Sequence, residues 1–252
     1  MKLPENDLNG PAMAAASVGR DGSMIQAPMQ PPMLLALQAG FGGIDAWQQD
    51  FAATAAGGAR WKWLDFDTRL GRPVNRSSDA ATPIPSGAVP LLALDCQAQP
   101  AGSNPGAPMH TTVDSFLQQV DWAGVYTRYQ AAVHDATEAI GLDAADLPTA
   151  LTGATLLDVR RAGAFLEATA MLQEAHWRDP AAVAQWATAL PRARPVVVYC
   201  VYGHEVSRAT ALQLRAAGLD ARFLRGGIDG WQRAGLAVVA KISGHSTAAG
   251  AP

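Results

Sequence analysis

A chain of 252 residues, 49% of them hydrophobic, is long enough to fill two modest cores, at about 150 residues per domain. Its net charge of -3 provides no basic field for nucleic acid or an anionic membrane surface, and no run approaches the ~18 apolar residues of a membrane span. The two cysteines, Cys96 and Cys200, are far apart and form neither a disulfide framework nor a CxxC metal knuckle, and an exposed thiolate suits a reducing cytoplasm.

From Met1 to Pro32 the sequence mixes Gly, Pro, Met, Ser and Ala without periodicity and without the apolar core of an export signal. Residues 1–32 are therefore expected to be a flexible tail. Order is expected from Met33. The segment through Phe51 breaks at Gly40 to Gly43 and then places Ile44, Trp47 and Phe51 at helical spacing, which predicts two short helices. Ala59–Asp67, ARWKWLDFD, alternates as a half-buried strand does, and Gly87–Cys96, GAVPLLALDC, reads as a second apolar strand. The stretch RLGRPVNRSS between them predicts a turn and a middle strand.

In order and spacing, FGGIDAWQQDF, ARWKWLDFD, GAVPLLALD and FLQQVDWAGVYTRYQ are similar to the C-terminal α/β domain of the iron/manganese superoxide dismutases, over roughly residues 34–133. That resemblance implies four metal ligands, three His and one Asp, for a redox-cycling metal. Two of the His would come from an N-terminal helical hairpin, which the residues before 33 are too short and irregular to form. The other two ligands belong to a D-x-W-E-H motif whose Asp matches Asp95. Where its His belongs stands Gln99, followed by PAGSNPGAP. Asp95 is expected to be a vestige ending a strand, and His110 and His134 show no metal-ligand spacing. The expectation is no metal and no cofactor, with packing, substrate shielding or dimerisation as the domain's role. A homodimer through this domain is preferred because the parent family is oligomeric, while residual metal binding with superoxide dismutase activity is the weaker alternative.

Residues 132–147 are expected to be a connector with a helical stretch around Val133–Ile140 and turn signals at Gly141 and Pro148, placing the first domain at 33–147. After a strand at Leu156, the segment AFLEATAMLQEAHWRDPAAVAQWATAL reads as an insertion. Asp179 is placed to cap a helix, with Pro180 in its first turn. His176, Trp177 and Arg178 are candidates to overhang a site, and a plain helix cap is the other reading.

Val196–Cys200 is an apolar run of strand length, and Ser207 is placed to cap an amphipathic segment with Ala209, Leu212, Ala216 and Leu219 near helical spacing. A cysteine at such a junction faces loop N–H groups and the positive end of a helix, which favours the nucleophilic thiolate. The alternative is an inert buried cysteine ending a core strand.

The stretch VVVYCVYGHEVSRAT, the run FLRGGIDGWQRAGLAV from Phe223 to Val238, and LLDVRRAGAF from Leu156 to Phe165 resemble the active-site loop, closing segment and opening strand of the rhodanese family. The domain is placed at 148–241, with a flexible C-terminal tail at 242–252. The fold expectation is thus two domains, α+β followed by α/β with a parallel sheet. The resemblance implies a sulfurtransferase that carries a persulfide on Cys200, with a small sulfur-containing donor and a thiol or cyanide acceptor. Val201, Tyr202, Gly203, His204, Glu205, Val206 and Ser207 would form the substrate loop. Asp158 and Arg160 or Arg161 would support it from the sheet edge, or else form a structural ion pair.

Counted to the expected cap, the loop is one residue longer than in common sulfurtransferases and nearer that of rhodanese-related phosphatases and arsenate reductases. Those relatives keep an Arg six residues after the Cys, where this chain has Val206 beside Glu205. Phosphate and arsenate chemistry is accordingly disfavoured. A non-catalytic binding or regulatory module of the rhodanese fold remains the opposing reading.

Overall fold

Pro31, whose missing N–H is no loss in a first turn, opens a helix over Pro31–Phe41, and Gly42 ends it at φ +88° with its N–H on the Gln38 carbonyl at 2.8 Å. The computed structural model describes residues 29–54, 58–79, 85–96, 113 and 116–241. Of the expected tail at 1–32, residues 1–28 lie outside the described residues, as do the expected tail at 242–252 and the segment holding Gln99 and His110. Helix order begins at Pro31 rather than Met33. A second helix, Ile44–Ala53, buries Trp47 and Phe51 one turn apart, and Trp47 meets the edge of Trp122 at a centroid separation of 5.7 Å.

Three antiparallel strands follow: β1 (Trp61–Asp67), β2 (Arg72–Ser78) and β3 (Ala88–Asp95), in the order β2-β1-β3. The predicted middle strand is β2, but in space β1 lies at the centre. Lys62 pairs with Leu94 and Asp67 with Ala88, the register slipping between Leu64 and Asp65. The half-buried alternation expected of β1 is not observed. Residues 62 to 67 are all buried, so both faces of this central strand are covered.

The expected connector is instead the second half of a continuous helix, Trp122–Thr137, followed by a 3-10 turn over Glu138–Ile140 and then β4 (Gly141–Leu142). The chain divides into two compact units at Ala132 and Val133, inside that helix, with Thr68–Arg72 grouping with the second. The second unit's sheet therefore starts before residue 148, because β4 belongs to it. A two-residue strand carries no alternation that a sequence could display.

That sheet has the order β4-β9-β8-β5-β7, with β5 (Thr155–Asp158), β7 (His176–Trp177), β8 (Val196–Tyr199) and β9 (Ala221–Leu224), and every pairing is parallel. Alternation along β8 divides the core. Val196 and Val198 pack with Leu157, Leu214 and Phe223 on one face, while Val197 and Tyr199 pack with Leu156, Met171 and Ile228 on the other. Part of the supposed insertion is thus an edge strand of the sheet. It also contributes β6 (Ala170–Met171), which pairs antiparallel with β10 (Val239–Ala240), and a 3-10 turn at Pro180 capped by Asp179, whose carboxylate accepts from the Ala181 N–H at 2.9 Å. Among the described residues, no helix is long and apolar enough to cross a membrane.

Candidate active site

Cys200 follows the last residue of β8, at the carboxyl end of a central parallel strand, where open α/β sheets bind ligands. The next helix is Glu205–Ala216, so only Val201–His204 separates it from the cysteine. Ser207 is not the helix cap. His204 holds that position with φ -89° and ψ -152°, and Ser207 lies in the first turn, where its Oγ stands 3.2 Å from Cys200 Sγ. The helix starts early because nothing between His204 and Ser207 breaks it, and an acidic Glu205 in the first turn complements the positive helix end. The extra loop residue counted from the sequence is thus taken up by the helix.

Three carbonyls of the loop are tied outward. The Ile228 N–H donates to the Cys200 carbonyl and the Asp229 N–H to the Val201 carbonyl, each at 3.0 Å, and Arg208 Nε donates to the Gly203 carbonyl at 3.0 Å. A trans peptide holds its N–H opposite its C=O, so the N–H groups of Val201, Tyr202 and His204 face away from those three partners. Among the described residues no acceptor meets these N–H groups, which leaves donors on the side of the loop opposite its supports, an arrangement that suits an anion on the cysteine. The approach requires glycine on both sides. Gly203 adopts φ +69° with Gly226 N 2.6 Å from where a Cβ would stand, and Gly227, at φ +58°, would drive a Cβ into the Cys200 and Val201 carbonyls.

The remaining predicted residues separate into two groups. Tyr202 is 54% exposed and its ring lies 5.7 Å from that of His204, also exposed, so both stand at the mouth. Glu205 is buried, whereas Val201 and Val206 are half-buried. Asp158 and Arg160 are buried but hold each other: Arg160 Nε lies 2.9 Å from both carboxylate oxygens, and Arg160 Nη2 reaches Asp158 Oδ2 and, at 3.1 Å, the Ala170 carbonyl. Asp158 also accepts from the Tyr199 hydroxyl at 3.0 Å, which in turn accepts from the Leu172 N–H. Burial, reinforced by the adjacent Asp158 charge, pushes the Tyr199 phenol far above its ordinary range, so Tyr199 is a fixed donor. The network anchors the residue preceding Cys200 rather than the loop itself. Trp177 stacks on Phe165 at 5.1 Å and donates to the Arg160 carbonyl, and His176 and Trp177 form the outer edge strand, with β5 between them and β8.

Sequence reasoning missed Arg208. It stands just after Ser207 in an ordinary helical pattern, and its only local signal is a basic residue near a helix start. Its contacts come from distant residues: Thr137 Oγ1 accepts from Nη1 at 3.0 Å, and the guanidinium lies 4.3 Å from the Phe223 ring centroid.

In the first unit, Arg60 Nε is 3.1 and 3.2 Å from the two Asp95 oxygens and Nη2 is 2.8 Å from Oδ2. Among the described residues no group of three or more His, Cys, Asp or Glu is placed to hold a metal ion, and His134 lies on the exposed surface with Asp135 and Glu138. The described residues therefore do not fit the iron or manganese that the resemblance implies. Cys96 is half-buried, and burial pushes its thiol up, opposed by the nearby Lys62.

Comparison with known proteins places both halves. Residues 143–234 match the rhodanese-like domain, and residues 29–128 match the iron/manganese superoxide dismutases, C-terminal domain. A superoxide dismutase [Fe] from Cupriavidus metallidurans is 35% identical over 123 residues, covering 47% of this chain and 59% of that protein. The chain thus spans little more than half of that relative's length. Among solved structures, a rhodanese-related protein from Thermoplasma volcanium is 25% identical over 39% of this chain and 96% of its own, with a TM-score of 0.35. A rhodanese homologue from Thermus thermophilus is 31% identical over 35% and 96%, with a TM-score of 0.31.

Proposed function

We propose that the rhodanese-like unit is a sulfurtransferase that carries sulfane sulfur as a persulfide on Cys200. The observation that carries this reading is the tethered loop: a cysteine at the end of β8, beside the first turn of Glu205–Ala216, with three loop carbonyls turned to outside partners. The thiolate attacks the outer sulfur of a sulfane donor such as thiosulfate. A new S–S bond to Cys200 forms as the donor's S–S bond breaks, and that electron pair leaves with sulfite. The outer sulfur then passes to a thiolate or cyanide, giving a persulfide or thiocyanate and restoring the Cys200 thiolate. Charge balances in both steps without a further oxidant. With its cysteine only 4% exposed, the site suits a terminal sulfur atom, which is all that this reaction must deliver to Cys200.

Loading the purified protein with thiosulfate is expected to add one sulfur atom to its intact mass and to support transfer to cyanide or a thiol. Both are expected to vanish in Cys200→Ser. A wild-type protein that gains no sulfur and turns over no sulfane donor supports instead a non-catalytic binding module. For the first unit, the reading is a packing or dimerisation domain without a catalytic metal, supported by the engagement of Asp95 with Arg60. A cytoplasmic location is the accompanying proposal, because a reducing compartment keeps the resting Cys200 thiol out of disulfides.

A further inference from the structure

We propose that Arg208 is a positioning residue that sets the loop around Cys200 for chemistry, a role that rests on the sulfurtransferase reading above. Of the three outward ties on the loop, two are backbone to backbone and come from the turn at Gly227–Asp229. Only the third, from Arg208 Nε to the Gly203 carbonyl, depends on a side chain. That bond fixes the Gly203–His204 peptide plane, and with it the direction of the His204 N–H, the donor nearest the helix start.

The guanidinium is itself held from every side. Nη1 donates to Thr137 Oγ1 at 3.0 Å and lies 3.8 Å from Glu138 Oε2, while the guanidinium carbon lies over the Phe223 ring, 4.3 Å from its centroid. A side chain gripped at three places has little rotamer freedom left, so it transmits its position to the loop. Burial lowers the pKa of the guanidinium, opposed chiefly by Glu138. Arg208 is thus mechanically linked to the loop that carries the sulfur. A lysine would keep the charge, yet its single ammonium cannot serve Gly203 and Thr137 together.

The test compares wild type, Arg208→Lys, Arg208→Gln and Thr137→Val in the full chain. Two rates are read: iodoacetamide alkylation of the Cys200 peptide as a function of pH, mapped by mass spectrometry so that Cys96 does not contribute, and sulfur loading from thiosulfate. The expected result is a rise in the alkylation pH midpoint in both Arg208 variants and a loading rate at least about ten-fold lower, short of the about hundred- to thousand-fold cost of deleting an anion-stabilising donor outright, because Arg208 positions one rather than supplying it. Thr137→Val is expected to move both in the same direction by less. If the variants have unchanged midpoints and loading rates, or lose only thermal stability, Arg208 is a structural clamp and the proposal is overturned. A wild type that loads no sulfur while the midpoint still rises in the variants refutes the sulfurtransferase reading and leaves the positioning role standing. Should Arg208→Gln fail to fold, Arg208→Lys and Thr137→Val decide the question alone.

Discussion

Glu205 and Val206 occupy the place where a rhodanese-related phosphatase would present an arginine, and Glu205 is buried beside the loop rather than extended into solvent. A carboxylate held there opposes a multiply charged oxyanion, while Val206 offers it no donor. The double variant Glu205→Gln/Val206→Arg is therefore expected to be inhibited more strongly by phosphate or arsenate than wild type, by about tenfold, the scale of a charge-assisted hydrogen bond. Thiosulfate loading should change less. Inhibition constants against sulfur transfer measure this, and equal or weaker inhibition in the variant would shift the selectivity to Tyr202 and His204 at the mouth. A second residue, Asp65 on β1, is buried with one carboxylate oxygen unpartnered among the described residues, and its other oxygen is 3.3 Å from Arg76 Nε. Burial raises its pKa to about 6, against the pull of Arg76. Here the folded state binds the proton more tightly than the unfolded one, so this group's contribution is greatest below about pH 4 and is lost as pH rises to about 6. Stability should fall across that window by roughly 2 to 3 kcal/mol, and Asp65→Asn should flatten the profile in chemical denaturation.

Among the elements, the turn at Gly226–Gly227 has the most to lose from a small change. It closes β9 and starts the helix Gly227–Arg233, and the N–H groups of Ile228 and Asp229 leave that helix start to hold two loop carbonyls. In Gly227→Ala the added methyl lies 2.5 Å from the Val201 carbonyl and collides with that of Cys200, at a left-handed φ of +58°. Since both neighbours are backbone, neither yields cheaply. The expected cost is about 2 to 4 kcal/mol of stability, with sulfur transfer falling as the loop shifts. Thermal unfolding together with the transfer assay would read both. A variant as stable and active as wild type would mean that the loop does not depend on this turn.

For the whole molecule, the sharpest question is whether a superoxide dismutase fold is kept without its chemistry. Asp95 forms its ion pair with Arg60, Lys62 is buried with its amine donating to the Phe51 carbonyl at 2.8 Å, and the described residues assemble no metal-binding group. Purified protein grown with iron and manganese supplied is expected to hold far less than one equivalent of either and to show no superoxide dismutase activity. Near-stoichiometric metal that is lost in Asp95→Ala would overturn this reading. Dimerisation through the first unit is the accompanying proposal, and light scattering of the full chain should then give about twice 26.3 kDa.

What the sequence by itself determined was whatever local chemistry dictates. The apolar run Val196–Tyr199, the break at Gly42, the cap at Asp179 and the Gly-Gly turn after β9 are each written in a few neighbouring residues, and so two domains and the place of Cys200 were legible. The helix start was misread at Ser207 because a serine serves equally as a cap or, one turn later, as a partner to the sulfur. The two-residue strands β4 and β7 escaped notice because so short a run has no period. Only the tertiary structure decided which side chains meet: Arg208 with Thr137 and Phe223, Arg60 with Asp95, Tyr199 with Asp158. Those partners lie between 15 and 71 residues apart in the chain. Their contact depends on strand order and register, which no local pattern of residues encodes.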